Sequence, residues 1–241
     1  MAHRDVLRVP LPDGSHLALT CDVAAGVGPK PMDAVAAPGE TVGRFTARVA
    51  LLELVAVGAE PLALVDGLAV EPGPTSQAIL DGIRAELIAA GIPDLPVTGS
   101  LEKNLHTTMT AVTVTAVGLI RSGPAKTGRA GDRLVVIGVP KVGGEVRLGD
   151  PTLADVPAAR ALLQHPAVHA LIPAGSGGVL PECEVLAAEA GCDFQLDEPE
   201  APSLRKSAGP ATCLVAAVDP AAVAALAQLV RQPVWAVGRL V

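Results

Sequence analysis

Aromatic residues are nearly missing from this chain: one Trp, two Phe and no Tyr stand among 241 residues. Proteins that hold single-stranded nucleic acid stack its bases on aromatic platforms, so the shortage argues against that function. A global basic field is missing too. Lys and Arg number 18 against 25 Asp and Glu, for a net charge of −7. Nothing of that kind draws in a nucleic-acid backbone, although a local basic pocket can still hold a small anion. No apolar run can span a bilayer: the longest, from Arg44 to Val70, is broken by Arg48, Glu53, Glu60 and Asp66. The opening Met-Ala-His-Arg-Asp has no apolar signal region, so a soluble cytoplasmic protein without membrane contact is expected. Cysteines are few. Cys21, Cys183, Cys192 and Cys213 show neither C-x-x-C spacing nor a histidine at zinc-finger distance, which points to buried, reduced thiols.

What the chain does have is aliphatic bulk. Half its residues are hydrophobic and 18% are charged, the balance of a packed globular protein with a core of Ala, Val and Leu. The first half alternates strands and helices. Leu17 to Cys21 reads as a strand. Thr41 can cap a helix whose Phe45, Val49, Leu52 and Val55 share a face and which Gly58 ends. Pro61 to Val70 reads as a strand interrupted by Asp66 and Gly67. Pro74 and Thr75 open a second helix with Ile79, Ile83 and Leu87 on its buried side and Gly91 at its end. Thr110 to Ile120 is the clearest strand, with Thr113 and Thr115 on one face and Val112 and Val114 on the other.

Ser122 to Asp132 reads as a linker. Beyond it, Arg133 to Val139 and Cys213 to Val218 are strands, and Asp155 to Leu163 and Glu182 to Ala190 are helices. Asp219-Pro220 opens a last helix, and Gln195 to Pro210 reads as an exposed loop. The expected class is α/β or α+β with a mixed sheet, in two domains covering residues 1–128 and 129–241.

Four clusters can carry chemistry. The first is Asp22, at a strand end, followed by Gly26-Val27-Gly28-Pro29-Lys30. Mg²⁺ seeks hard carboxylate oxygens and keeps phosphates among its ligands. Glycines let backbone N–H groups approach an anion that Lys30 can neutralise. The pattern is not a Walker A loop, and an ordinary surface turn would look the same. The second is Glu53, Glu60 and Asp66. Glu53 fits the solvated face of an amphipathic helix, whereas Asp66 interrupts a strand where an apolar residue is favoured, which marks it as functional. The third is Thr98-Gly99-Ser100-Leu101-Glu102-Lys103-Asn104 with His106, Thr107 and Thr108, which reads equally as a polar loop between strands. The fourth is Gly175-Ser176-Gly177-Gly178 before a helix, a place where free N–H groups can meet phosphate. It lacks the Gly-x-Ser-x-Gly spacing of a hydrolase nucleophile, and the nearby His165 and His169 read as structural.

In this order, the clusters resemble the superfamily of aminoimidazole ribonucleotide synthetase, thiamine-monophosphate kinase, selenophosphate synthetase and the hydrogenase-maturation dehydratase. Asp22 with Gly26 to Lys30 resembles the synthetase's Asp-Gly-Val-Gly-Thr-Lys loop with an insertion. Leu52-Glu53, Gly58-Ala59-Glu60-Pro61-Leu62 and Val65-Asp66-Gly67 resemble its Asn-Asp helix, its Gly-Ala-Glu-Pro-Leu turn and its strand ending Leu-Asp-Tyr. Thr98-Gly99-Ser100 stands where the family has Gly-Gly-Glu/Asp-Thr, Val112 to Gly118 resembles its Val-x-Val-x-Gly strand, and Ile172 to Leu180 its C-terminal glycine turn. Two positions depart from the pattern: Leu52-Glu53 replaces Asn-Asp, and Ser100 replaces the acid, for which Glu102 can stand in.

The resemblance implies a two-domain protomer whose N-terminal sheet joins a second copy's in a barrel across a homodimer, with ATP and Mg²⁺ as cofactors. It implies Asp22, Glu53 and Asp66 as metal ligands, and Asp22, Lys30 and Glu102 as the catalytic set. Gly26, Gly28, Lys30, Gly99, Ser100 and Thr108 are implied as nucleotide contacts. Thr98 to Asn104 and Ser207 to Thr212 look most like the α-ribazole kinase branch, so the expected reaction is phosphorylation of a nucleoside-like small molecule. An ATP-dependent amide- or acyl-activating enzyme, and a non-catalytic nucleotide-binding homologue, stand as alternatives.

Overall fold

The computed structural model describes residues 4–121, 126–197 and 204–241. They form two compact units, one of Asp5–Leu54 and Ala59–Ser122, the other of Met1–Arg4, Val55–Gly58 and Gly123–Val241. Both are α+β, with five helices among the described residues.

In the N-terminal unit, β1 (Leu7–Pro10), β2 (His16–Ala25), β5 (Glu60–Leu68), β6 (Val97–Leu101) and β7 (Ala111–Ile120) make one sheet in the order β1-β2-β7-β5-β6. Within this sheet, among the described strands, β5 and β6 are the one parallel pair. A small pair, β3 (Val27–Gly28) and β4 (Val35–Ala36), lies beyond the end of β2. Period-2 alternation sorts the side chains. Ala18 and Thr20 of β2, Val112, Val114 and Ala116 of β7, and Leu64 and Leu68 of β5 are buried. Helix α1 (Gly39–Ala56) lies on this side, where the Ala50 carbonyl accepts the Thr20 hydroxyl at 2.7 Å.

Helix α2 (Pro74–Ala89) crosses α1 at glycines. A Cβ added to Gly43 would sit 2.0 Å from the Ile79 carbonyl oxygen, and one on Gly82 would sit 2.2 Å from that of Glu40. Two backbones this close explain why α1 is buried almost all round rather than on one stripe. Between the helices, Glu86 is 1% exposed and takes Arg48 at 2.7 and 2.9 Å and Arg44 at 3.3 Å. Among the described residues of this unit, no helix lies on the opposite face of the sheet. Leu7, Val9, Val23 and Val65 stand exposed on it, and its only charged residue among the described strands is Glu60 at the end of β5, paired with Arg121.

In the C-terminal unit, β8 (Arg133–Gly138), β9 (Val168–Pro173), β10 (Phe194–Leu196), β11 (Cys213–Val218) and β12 (Val234–Leu240) form an antiparallel sheet in the order β10-β12-β8-β11-β9. Helix α4 (Val179–Ala190) packs Cys183, Val185 and Leu186 onto Val136, Ile172 and Val215. The alternate residues Val135, Ile137, Leu214 and Ala216 are equally buried. The remaining helices, α3 (Val156–Gln164) and α5 (Val223–Leu229), touch each other and contact β9 and β12 respectively. Asp155 caps α3 by accepting from the Ala158 amide at 2.8 Å.

Several expectations need correction. Helix α1 begins at Gly39, so Thr41 lies inside its first turn and is not the cap. Thr98 to Ser100 belongs to the edge strand β6 and not to a loop. Part of the supposed linker is anchored: the Lys126 ammonium donates to the Leu163 and Val168 carbonyls, and Asp132 is 2% exposed beneath His169. Ser122 to Ala125 lies outside the described residues. In the supposed loop 195–210, Gln195 and Leu196 are in β10, and Leu204 and Ala208 are buried in the α4 core; residues 198–203 lie outside the described residues.

Candidate nucleotide site

The end of β2 sets the site. After Asp22 the strand runs to Ala25 and turns at Gly26, whose φ of +70° suits glycine. The loop that follows is stitched to the segment entering β7. The Gly26 amide donates to the Thr110 carbonyl at 2.9 Å and the Met32 amide to that of Thr108 at 3.0 Å. Asp33 closes the loop, accepting from the Lys30 amide, the Thr110 amide and the Thr110 hydroxyl, each at 2.8 Å. Gly28 must lack a side chain, because a Cβ there would meet the Thr110 hydroxyl at 2.3 Å and the Asp33 carboxylate at 2.7 Å.

Lys30 is drawn inward by this loop. Its side chain is 11% exposed, forms an ion pair with Glu71 and donates to the Thr107 carbonyl at 3.0 Å. The other Glu71 oxygen accepts from the Thr107 amide at 3.1 Å and its hydroxyl at 3.0 Å. These donors, the Lys30 ammonium first, hold the Glu71 carboxyl well below the usual carboxylate range. The His106 ring, almost wholly exposed, stands 3.7 Å from Glu71. Asp33 and Glu71 were not legible as site residues in the sequence. Glu71 had one signal, a carboxylate directly after a strand and before Pro72-Gly73-Pro74.

The carboxylates of the expected metal set do not converge. Asp22 and Asp66 lie in one row of the sheet with Val114 between them, two strand spacings or ~10 Å apart at their Cα atoms. Both face the helix-covered side. Burial pushes the Asp22 carboxyl up to about 6, partly offset by a hydrogen bond from the Val23 amide. Burial also raises Asp66, against the opposing charge of Arg84. Asp66 leans the other way from Asp22, over Gly99, where a Cβ would meet its Oδ1 at 2.2 Å. That oxygen is buried and has no hydrogen-bond partner among the described residues.

Glu53 lies further off. Ala50 sits over Thr20, and Leu54 reaches Gly118, so α1 carries Glu53 away from the Asp22 row. Glu102 caps its own turn, accepting from the Asn104 amide at 2.7 Å and the Leu105 amide at 3.1 Å. Ser100 is on the open face of the sheet, opposite Gly67. Thr108 is exposed, and its carbonyl is used by Met32.

Mg²⁺ takes near-octahedral oxygen ligands at about 2.1 Å. Among the described residues no group of three His, Cys, Asp or Glu is placed to hold such an ion. The trio Asp22, Glu53 and Asp66 therefore does not fit a shared magnesium site. The physical reason is the strand register, which separates the two aspartates, and the direction of α1, which removes the glutamate. The C-terminal glycine turn is likewise occupied by its own chain: the Leu180 amide donates to Leu204, and Gly178 leaves only 2.6 Å between a Cβ and the Lys206 carbonyl.

Comparison with known proteins shows what the chain is similar to. Residues 3–120 match the family described as AIR synthase related protein, N-terminal domain. No curated protein matches the chain. Among solved structures, E. coli HypE, a hydrogenase maturation protein, is 21% identical with a TM-score of 0.68 over 93% of this chain and 80% of that one. HypE solved in complex with ATP is 15% identical, with a TM-score of 0.66 over 93% and 76%. T. maritima PurL, solved in complex with ATP, is 17% identical with a TM-score of 0.67 over 97% of this chain and 42% of that one. At these identities the likeness is one of fold. No helix among the described residues is long and apolar enough to cross a membrane.

Proposed function

We propose that the whole chain is an AIR-synthase-related, ATP-dependent phosphotransferase acting on a nucleoside-like small molecule, with α-ribazole as the acceptor to test first. The observation that carries the reading is the Gly26–Asp33 loop. Within a domain matching the AIR-synthase-related family, it follows the strand that bears the half-buried Asp22 and brings Lys30 against Glu71 and the Thr107 carbonyl. The ATP complexes of PurL and HypE, which share the fold, support a nucleotide as ligand. Phosphoryl transfer asks for positioning and charge neutralisation more than covalent chemistry from the protein. In this reading Lys30 neutralises the phosphates, the backbone of Gly26 and Gly28 lies along them, and Asp22 orients the acceptor hydroxyl. The division near residue 128 separates this nucleotide domain from an acceptor domain. The α-ribazole assignment is supported by Thr98 to Asn104 and Ser207 to Thr212. The face of the N-terminal sheet opposite α1, which exposes Leu7, Val9, Val23 and Val65 and carries a charge only at Glu60 among the described strands, supports a homodimer, since a sheet face of that kind is a surface to be covered. A cytoplasmic setting belongs to the same reading.

One observation favours a second reading. Asp22, Glu53, Asp66 and Glu102 are dispersed, which suits a homologue that binds nucleotide without turning it over. Incubation with Mg-ATP and a nucleoside panel including α-ribazole, read by mass spectrometry, separates the possibilities. ADP with a phosphorylated nucleoside supports the kinase. Free phosphate points instead to amide or acyl activation. ATP binding with no product favours the non-catalytic reading, and no ATP binding with or without Mg²⁺ removes all three.

A further inference from the structure

The ammonium of Lys30 already holds an anion, and that anion is part of the chain. Glu71 gives one oxygen to Lys30 and the other to the Thr107 amide and hydroxyl, at 3.1 and 3.0 Å. The pair is not sealed in: Glu71 is 22% exposed, and the open His106 ring stands beside it. We propose that Glu71 is a built-in competitor for the phosphate group that Lys30 receives, so that every phosphate ligand of this site binds more weakly than Lys30 alone would hold it, while a ligand that does not use Lys30 is unaffected. This inference rests on the nucleotide reading above.

Carboxylate and phosphate oxygens are the same kind of acceptor for an ammonium group. Lysine carries a compact charge on a flexible stem and can exchange one partner for another. A polyphosphate of several charges attracts the ammonium more strongly than one carboxylate does. The exchange does not strand Glu71, because Thr107 still supplies two donors to it. A neutral nucleoside offers nothing to displace it. If Glu71 instead only positioned Lys30 for the ligand, removing its charge would weaken binding. The two roles therefore predict opposite signs.

Calorimetry of ATP, inorganic triphosphate and adenosine with wild type, Glu71→Gln, Lys30→Met and the double variant tests this. The expected result is at least about tenfold tighter binding of ATP and triphosphate to Glu71→Gln, with adenosine unchanged. The double variant should gain nothing over Lys30→Met, because the gain passes through the lysine. Glu71→Asp, one carbon short of Lys30 yet able to accept from Thr107, carries the same expectation to a smaller degree if the glutamine variant folds poorly. Unchanged or weaker binding by Glu71→Gln, or a gain that persists without Lys30, overturns the proposal and leaves the nucleotide reading standing. If neither wild type nor Glu71→Gln binds any of the three ligands, both fall.

Discussion

Replacing Asp22 with Asn should make the protein more stable at neutral pH and less able to use a nucleotide. Burial lifts the Asp22 carboxyl from 3.8 to about 6. Each tenfold change in proton affinity corresponds to about 1.36 kcal/mol, so the ionised form costs at most ~3 kcal/mol relative to the unfolded chain. Water still reaches part of the group, and about 2 kcal/mol is the working figure. The sign follows from proton binding. Between pH 3.8 and about 6 the folded protein holds a proton that the unfolded chain has released, so stability falls as pH rises through that window. Asn carries no charge and escapes the fall. Urea denaturation of both proteins at pH 3.5, 5 and 7.5 is the assay. Near-equal stabilities at pH 3.5 should diverge to an advantage of about 2 kcal/mol for the variant at pH 7.5, while ATP turnover is lost. A variant less stable than wild type at pH 7.5 would show that the carboxylate is stabilised by its surroundings, and the reasoning would be refuted.

Three further outcomes follow from the N-terminal unit. Arg48→Met should cost about 3 kcal/mol in urea denaturation because it strands Glu86 with part of its compensation gone, and adding Glu86→Leu should recover most of the loss. Gly43→Ala should lower stability by about 2 kcal/mol or more, since its Cβ would press on backbone that a side-chain rotation cannot relieve; a melting temperature equal to wild type would contradict the close crossing. Val23→Asp, on the open sheet face, should convert a homodimer to monomer in sedimentation equilibrium, and a dimer that survives it places the interface elsewhere.

The order of elements was legible where local pattern and tertiary demand agree. The Thr/Val alternation of β7 read correctly because one of its faces is buried and the other is not. The Pro-Thr opening of α2 read correctly because the proline fits its first turn. The strands β1 and β6 escaped notice because both are edges, paired on one side only and largely exposed. Hydrophobic periodicity is weakest in such strands. The candidate site was legible by residue type but not by direction. Asp22, Lys30 and Asp66 stand out as polar groups in apolar or glycine-rich surroundings. That Asp66 leans over Gly99, and that Lys30 finds Glu71, depends on pairings between strands distant in sequence. Charge spacing along the chain contains no such information.

Hydrogen exchange of the free protein and of the protein with saturating ATP tests the central claim most directly, because it reports where the ligand lies without requiring turnover. Slowed exchange concentrated in the Gly26–Ala37 loop and the Thr107–Thr110 segment is the predicted result. Protection found only elsewhere, or no change at any amide, contradicts it.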